Sequence, residues 1–440
     1  MLRADGRWSR VVCTQCAPLR LNSTRPIMSA ALLRHSATQR RSRSAMGTSV
    51  RALVKPGLIK WARETAGRTV EETAKRINID VDRYRAWESS TDEEAPTINQ
   101  LRALAEFFRR PLVVFYLPEV PPAPKSPRDF RRLPGSEDHR FSPQLLYQMR
   151  ESAQRRELAL DLLDELGDEP VAFEASAKLD ESPAAVAQRV RDLLGIPIDT
   201  QLRWREPRVG FNAWRQCVEA QGVLVFQAPR VEEREARGFS LVENPLPVVV
   251  VNSKDSPAGR SFSLIHELAH VMLRQAGVCD FEDPGDQEAA KVEVFCNAVA
   301  AATLMPRDSF LAEGIVKSHS ATEWFDDELK ELSLRYSVSR EAVVRRLLEL
   351  GRTTEKFYRM KRGQYAAEQR AREEREKETN AGGGPSPDRA AMSNLGSSFI
   401  RLVLSSYRQD HLTLSDVSNV LGVRVKHVRR IEEALTRRAE

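Results

Sequence analysis

Two rhythms of apolar and polar residues run along this 440-residue chain. Over most of it, apolar residues recur every three or four positions, the period of a helix with one buried face. In two places they run together instead. Val223–Gln227 and Val248–Val251 read as short buried strands. Residues 51–118 read as a set of short helices. Val70, Ala74 and Ile77 mark one face of a helix, and Thr69 with Glu72 three positions later forms a capping box at its start. After a break at Asn78–Asp80, Val81, Tyr84 and Trp87 point inward from a second helix. Leu101, Leu104, Ala105 and Phe108 make a stripe on a third, with Thr97 as its cap. Further helices are expected over 143–167, stopped by Gly167, and over 182–197, capped by Ser182 and stopped by Gly195. Three more are expected at "SFSLIHELAHVML", at "DQEAAKVEVFCNAVAAATLMP" up to Pro306, and over 322–350.

The end of the chain repeats its beginning. "TLSDVSNVLGVRVKHVRRIE" (413–432) aligns without gaps to "TVEETAKRINIDVDRYRAWE" (69–88). Thr meets Thr, Asp416 meets Glu72, and Glu432 meets Glu88. Leu421, Val423, Val425, Val428 and Ile431 fall on Ile77, Ile79, Val81, Tyr84 and Trp87. Both stretches predict two helices joined by a tight turn, the helix-turn-helix shape.

Composition shifts divide the chain. Residues 1–50 are an Arg-rich tail expected to be disordered, 51–118 a helix-turn-helix domain, and 119–142 a Pro-rich linker. Connecting helices over 143–181 lead to the main domain, 182–355. A charged helix and flexible linker (356–391) precede the helix-turn-helix-like segment 392–440. The formal net charge of +6 suggests a nucleic-acid partner, but residues 1–45 hold nine Arg and one Asp, so the remainder sums to −2. Bulk charge is therefore no argument for DNA binding by the folded part. The tail is transit-like in composition, its apolar stretches are too short for a secretory signal, and Met46 offers an alternative start. Five Cys do not suggest a disulfide framework, and "CTQC" (Cys13, Cys16) is half a zinc motif without its partner. No apolar run reaches the roughly 20 residues of a membrane span. The expectation is a cytoplasmic protein with no membrane partner.

The chemistry sits in "HELAH". Residues four apart share a helix face, so His266 and His270 can present imidazoles to one metal ion. Glu267, about 100° around the helix, suits a general base better than a ligand. A catalytic zinc takes three protein ligands and keeps one position open. Glu293 in "VEVFCN" is a candidate third ligand, with Glu282, Asp283, Asp286 and Glu288 competing on sequence alone. Asn297, one turn after Glu293, is a candidate supporting residue. Ala298, Ala300, Ala301 and Ala302 leave room for close helix packing. Cys279 and Cys296 lie near in sequence and read by default as inert thiols. His319 is a candidate for stabilising the oxyanion, and the strand Val248–Val251 for pairing with an extended substrate. Zn2+ is the expected ion, with Mn2+ also compatible with two His and one Glu.

"FSLIHELAHVML" followed by "EVFCNAVAAATLMP" resembles the ImmA/IrrE family of metallopeptidases, with Cys296 and Val299 replacing the family's Ala and Phe. Asn252 and Arg260 also look familial. The resemblance implies that Glu293 is the third ligand. Residues 56–118 are similar to the lambda-repressor-like (Cro/C1, XRE) helix-turn-helix, through "APTINQLRALAEFF", "PLVVFYLP" and "DFRRLP". They depart from it at Ser89–Ser90, where Gly is usual, and at Val70–Glu71, where Gln often contacts DNA. The implied fold class is mainly α with a small β-sheet (α+β): an all-α helix-turn-helix domain, a zincin-like HExxH domain and a C-terminal helical segment. The implied function is a zinc-dependent endopeptidase whose protein substrate is a helix-turn-helix repressor, cut to relieve repression. Arg83 and Arg85 are the candidate contacts to operator DNA, with surface ion pairing to nearby acids as the alternative for both. The alternative for the whole chain is a DNA-binding regulator whose metal centre is structural or sensory.

Overall fold

The computed structural model describes residues 50–89, 95–121, 141–233, 235–275, 286–379 and 384–437. The Arg-rich tail with Cys13 and Cys16, most of the Pro-rich linker with "DFRRLP", Ser90, Cys279, Glu282 and Asp283 lie outside the described residues, as do 380–383 of the flexible linker. None of the described helices is long and apolar enough to cross a membrane.

Helices α1 (Pro56–Thr65), α2 (Val70–Ile77), α3 (Val81–Ser89) and α4 (Ile98–Phe107) form the first folded body with a 3-10 turn at Leu112–Tyr116. The capping box expected at Thr69 and Glu72 is present, and the expected cap Thr97 forms a second box with Gln100. The core contains the expected inward residues Ala74, Tyr84, Trp87, Leu101, Leu104, Ala105 and Phe108.

The long helix α5 (Pro143–Leu166) ends at Gly167, whose φ of 70° gives the left-handed cap. Then come α6 (Pro183–Leu194), α7 (Ile198–Gln201) and α8 (Pro207–Ala220). Ser182 occupies the N-cap position of α6 without a side-chain capping bond, so Pro183 in the first turn opens that helix instead. Strands β1 (Leu224–Ala228), β2 (Gly238–Leu241) and β3 (Val248–Asn252) follow, then α9 (Pro257–Gln275) and α10 (Asp286–Leu304). The chain continues through α11 (Arg307–Ala312), α12 (Gly314–Ser318), α13 (Asp326–Tyr336), α14 (Arg340–Glu349) and α15 (Glu355–Thr379). It ends with α16 (Pro387–Leu395), α17 (Ser397–Arg408), α18 (Leu414–Val420) and α19 (Val425–Thr436).

The sheet order is β1-β3-β2, with β3 parallel to β1 and antiparallel to β2. The expectation that β3 pairs with a substrate is therefore corrected: both of its edges are taken, and β2 lies outside it. Alternation assigns the faces. Val225, Val249 and Val251 pack into one core with α9 and α10. Leu224, Phe226, Ala228, Phe239, Leu241, Val248 and Val250 pack into a second core with α5 and α17. Cover on both faces explains why every strand residue is buried and why β3 reads as an unbroken valine run.

The C-terminal segment is part of this second core. Phe399 meets Phe226 edge-on, with ring centroids 5.5 Å apart. Buried Glu219 of α8 accepts hydrogen bonds from Ser397 Oγ (2.9 Å), Ser398 Oγ (3.1 Å) and Ser398 N (3.2 Å). The repeat seen in sequence is real in detail. Asn78 and Gly422, aligned positions, both take the left-handed conformation, with φ of 56° and 64°. In both copies the next residue closes back on the first helix: Ile79 N to Ala74 O, 3.1 Å, and Val423 N to Ser418 O, 3.0 Å. The aligned acids Glu88 and Glu432 accept from Arg63 (2.7 Å) and Arg408 (3.1 Å). The same turn joins α13 to α14, where Ser337 has φ 56° and Val338 N donates to Ser333 O at 2.9 Å.

Candidate metal centre

The helix that carries the motif starts where capping chemistry puts it. Ser256 Oγ accepts from Gly259 N at 3.0 Å, and Pro257 follows the cap. Leu264, Ile265, Leu268, Ala269, Val271 and Met272 are buried around it, so α9 is a central helix rather than a surface one. His266, Glu267 and His270 are buried within it, at 0%, 1% and 2% exposure. Burying three ionisable groups on two turns of one helix is costly unless something pairs with them.

The pairing comes from α10, which packs against α9. Its buried Ala300, Ala301 and Ala302, with half-buried Ala298, keep its bulk small. Glu293 Oε2 lies 3.3 Å from His266 Nε2, and its Oε1 lies 3.2 Å from His270 Nε2. The two Nε2 atoms are 3.0 Å apart. Donors about 2.05 Å from a tetrahedral ion stand about 3.3 Å from one another, and these approaches, each imidazole to its own Glu293 oxygen, are of that size. Among the described residues, these are the His, Cys, Asp and Glu side chains that converge in this way. Two imidazoles and one carboxylate fit a divalent ion, and among the described residues no further side chain joins them as a fourth ligand.

The electrostatics agree. Burial works to raise the Glu293 pKa, but hydrogen bonds and charge from His266 and His270 hold it well below the usual carboxylate range. Burial works to lower that of His270, and contacts with Cys296, Glu293 and Glu267 outweigh it and raise it. The surroundings thus favour positive charge at this point. Cys296 is buried against His270, but burial pushes its thiol up, which disfavours the thiolate a metal would need.

Glu267 stands outside the ligand set and packs against β2. Gly238 makes this possible. A Cβ there would lie 3.1 Å from Glu267 Oε1 and 2.9 Å from Val250 O. Sequence reading passed over Gly238, since β2 has only four residues and no alternation to announce it. Asn252, at the end of β3, donates from Nδ2 to Ala236 O (2.8 Å) and Val231 O (3.2 Å). It thereby ties down the loop that delivers β2. Arg260 donates to Gln227 Oε1 at 2.6 Å, and Gln227 donates to Ser393 O at 2.6 Å. A hydrogen-bonded path therefore joins the metal helix to α16.

Asn297 lies one helical turn past Glu293, and its Oδ1 is buried without a hydrogen-bond partner among the described residues. His319 does not serve the oxyanion role expected of it. Its Nδ1 meets Glu328 at 3.1 Å, its Nε2 meets Glu323 O at 2.9 Å, and its ring stacks on Trp324 at 3.8 Å. Both ring nitrogens are committed to a structural network. In α3, Arg85 donates to Asp82 and Glu71, each at 3.2 Å, while Arg83 is exposed.

Residues 218–348 match the family model for the IrrE N-terminal-like domain, a peptidase family. Residues 59–115 match the family model for a helix-turn-helix of the XRE type. The order along the chain is thus helix-turn-helix first and IrrE-like domain second. No curated protein matches the chain significantly.

Proposed function

We propose that this chain is a metal-dependent endopeptidase that cleaves a helix-turn-helix repressor. The observation that carries the reading is the convergence of His266, His270 and Glu293, with Glu267 beside them and outside the ligand set. A structural metal site has no use for such a carboxylate.

His266, His270 and Glu293 would hold the ion, with zinc the best fit to two imidazoles and a carboxylate. The bound ion supplies Lewis acidity, polarising a carbonyl oxygen and acidifying water. Glu267 takes a proton from water as its oxygen bonds to the scissile carbonyl carbon. It returns that proton to the amide nitrogen as the C–N bond breaks, and stands unprotonated again. The apolar wall around α9 keeps Glu267 from exchanging protons with bulk solvent. The helix-turn-helix domain supports recognition of the substrate's own DNA-binding fold or of its operator. At the operator, Arg83 is the contact, since Arg85 already has Asp82 and Glu71 as partners.

Cells producing the wild-type chain or Glu267→Gln, compared for newly formed protein N-termini, test this directly. New termini in a helix-turn-helix repressor, seen with the wild type alone, support the proposal. Identical termini in both samples would sink it.

A further inference from the structure

A cavity of about 180 Å³ lies where α1 and α4 meet the start of α5. Three of its lining residues are Arg68, Arg109 and Arg150, and no acid lines it among the described residues. The guanidinium groups are held in place. That of Arg68 stacks 4.4 Å from the centre of the Phe107 ring, and that of Arg109 4.4 Å from the centre of Tyr147. Arg150 is fixed by Thr65 O (2.6 Å) and Phe108 O (3.3 Å), while Arg109 donates to Gln144 at 2.8 Å. Arg68 Nε is buried and has no hydrogen-bond partner among the described residues. Glu72, outside the cavity wall, approaches Arg68 only to 3.9 Å.

Three like charges around one small space repel each other, and a buried guanidinium nitrogen without an acceptor is costly. Burial, with repulsion from Arg109, holds both Arg68 and Arg150 below the ordinary arginine range. A tetrahedral oxyanion would remove both penalties. It offers acceptors in several directions and matches the planar fork of an arginine. The first turn of α5 faces the same space, and its field favours the same sign of charge. The cavity has room for a phosphate group.

We propose that this arginine-lined cavity is a binding site for free phosphate or for the phosphate of a small monoester. The site would be distinct from the metal centre, and its occupant would bridge the helix-turn-helix domain to α5.

The test is calorimetric titration of the full chain with inorganic phosphate, against chloride at equal ionic strength. The expected result is saturable binding of about one phosphate per chain, weakened about tenfold or more in Arg68→Gln and in Arg109→Gln. Arg76→Gln, an exposed cation outside the cavity wall, should bind as the wild type does. Arg109 is exposed, so its variant keeps the test decisive even if Arg68→Gln fails to fold. Absence of saturable binding overturns the proposal, and so does unchanged affinity in both cavity variants. A third result would overturn it as well: affinity for duplex DNA, and not for inorganic phosphate, lost in those variants.

Discussion

On the proposed reading His266, His270 and Glu293 hold the ion and Glu267 is the base, two roles with separable effects. Glu267→Gln keeps size and burial but removes the base. It should lower cleavage about a hundredfold or more while metal content stays at the wild-type level. His266→Ala deletes a ligand, so metal and activity should be lost together, with metal analysis as the check. Gly238→Ala tests a subtler point, because the added Cβ would sit 3.1 Å from Glu267 Oε1. Displacing the base by a fraction of an ångström should slow cleavage about ten- to a hundredfold with metal retained. An unaffected rate in Gly238→Ala would show that β2 does not set the position of Glu267. The HExxH pair was legible in sequence because a four-residue spacing fixes a shared helix face whatever surrounds it. Glu293 was not, since several acids lie within reach of the same loop and spacing cannot rank them. Only the resemblance singled it out, and the 3.2 and 3.3 Å approaches to the imidazoles agree. His319 misled because a histidine in a polar stretch gives no sign of its partners.

At the scale of the element, one device recurs: helix, left-handed turn residue, helix. Asn78, Ser337 and Gly422 are among the residues that occupy that turn. Gly422 has open space around its missing Cβ, so substitution there probes the backbone alone. Gly422→Ala should cost about 1 kcal/mol of stability, read as a lowered melting temperature. No change would mean the turn relaxes out of the left-handed region. The two sequence copies were visible because their caps, apolar positions and final acid align without gaps. The turn at α13 and α14 was not, because that pair lacks the Thr cap and α13 opens at Phe325 instead. The strands β1 and β3 were visible as apolar runs. β2 was too short to register, and without it the central place of β3 was beyond sequence reasoning.

For the whole molecule, the finding with most consequence is that α5 and the C-terminal segment cover one face of the sheet whose other face supports α9. Composition separated the C-terminal segment at a flexible linker, and nothing local to it says where it docks. Its docking depends on Phe399, Ile400, Val403 and Leu404, which read in isolation as an ordinary amphipathic stripe. Phe399→Ala should destabilise the fold by about 3–5 kcal/mol. A chain ending at residue 379 should fail to give soluble folded protein, because Phe226, Phe239 and Val250 would lose part of their cover. A soluble, well-folded truncated chain would show that the segment is a separate domain after all.

If three side chains hold one catalytic ion and a fourth moves the proton, metal content and cleavage must part company in Glu267→Gln. Both are measured on the purified variant, with a repressor identified by its new N-terminus as substrate. About one equivalent of zinc per chain and no cut are expected, beside a cleaving wild type. A zinc-loaded Glu267→Gln that cuts as fast as the wild type would contradict it.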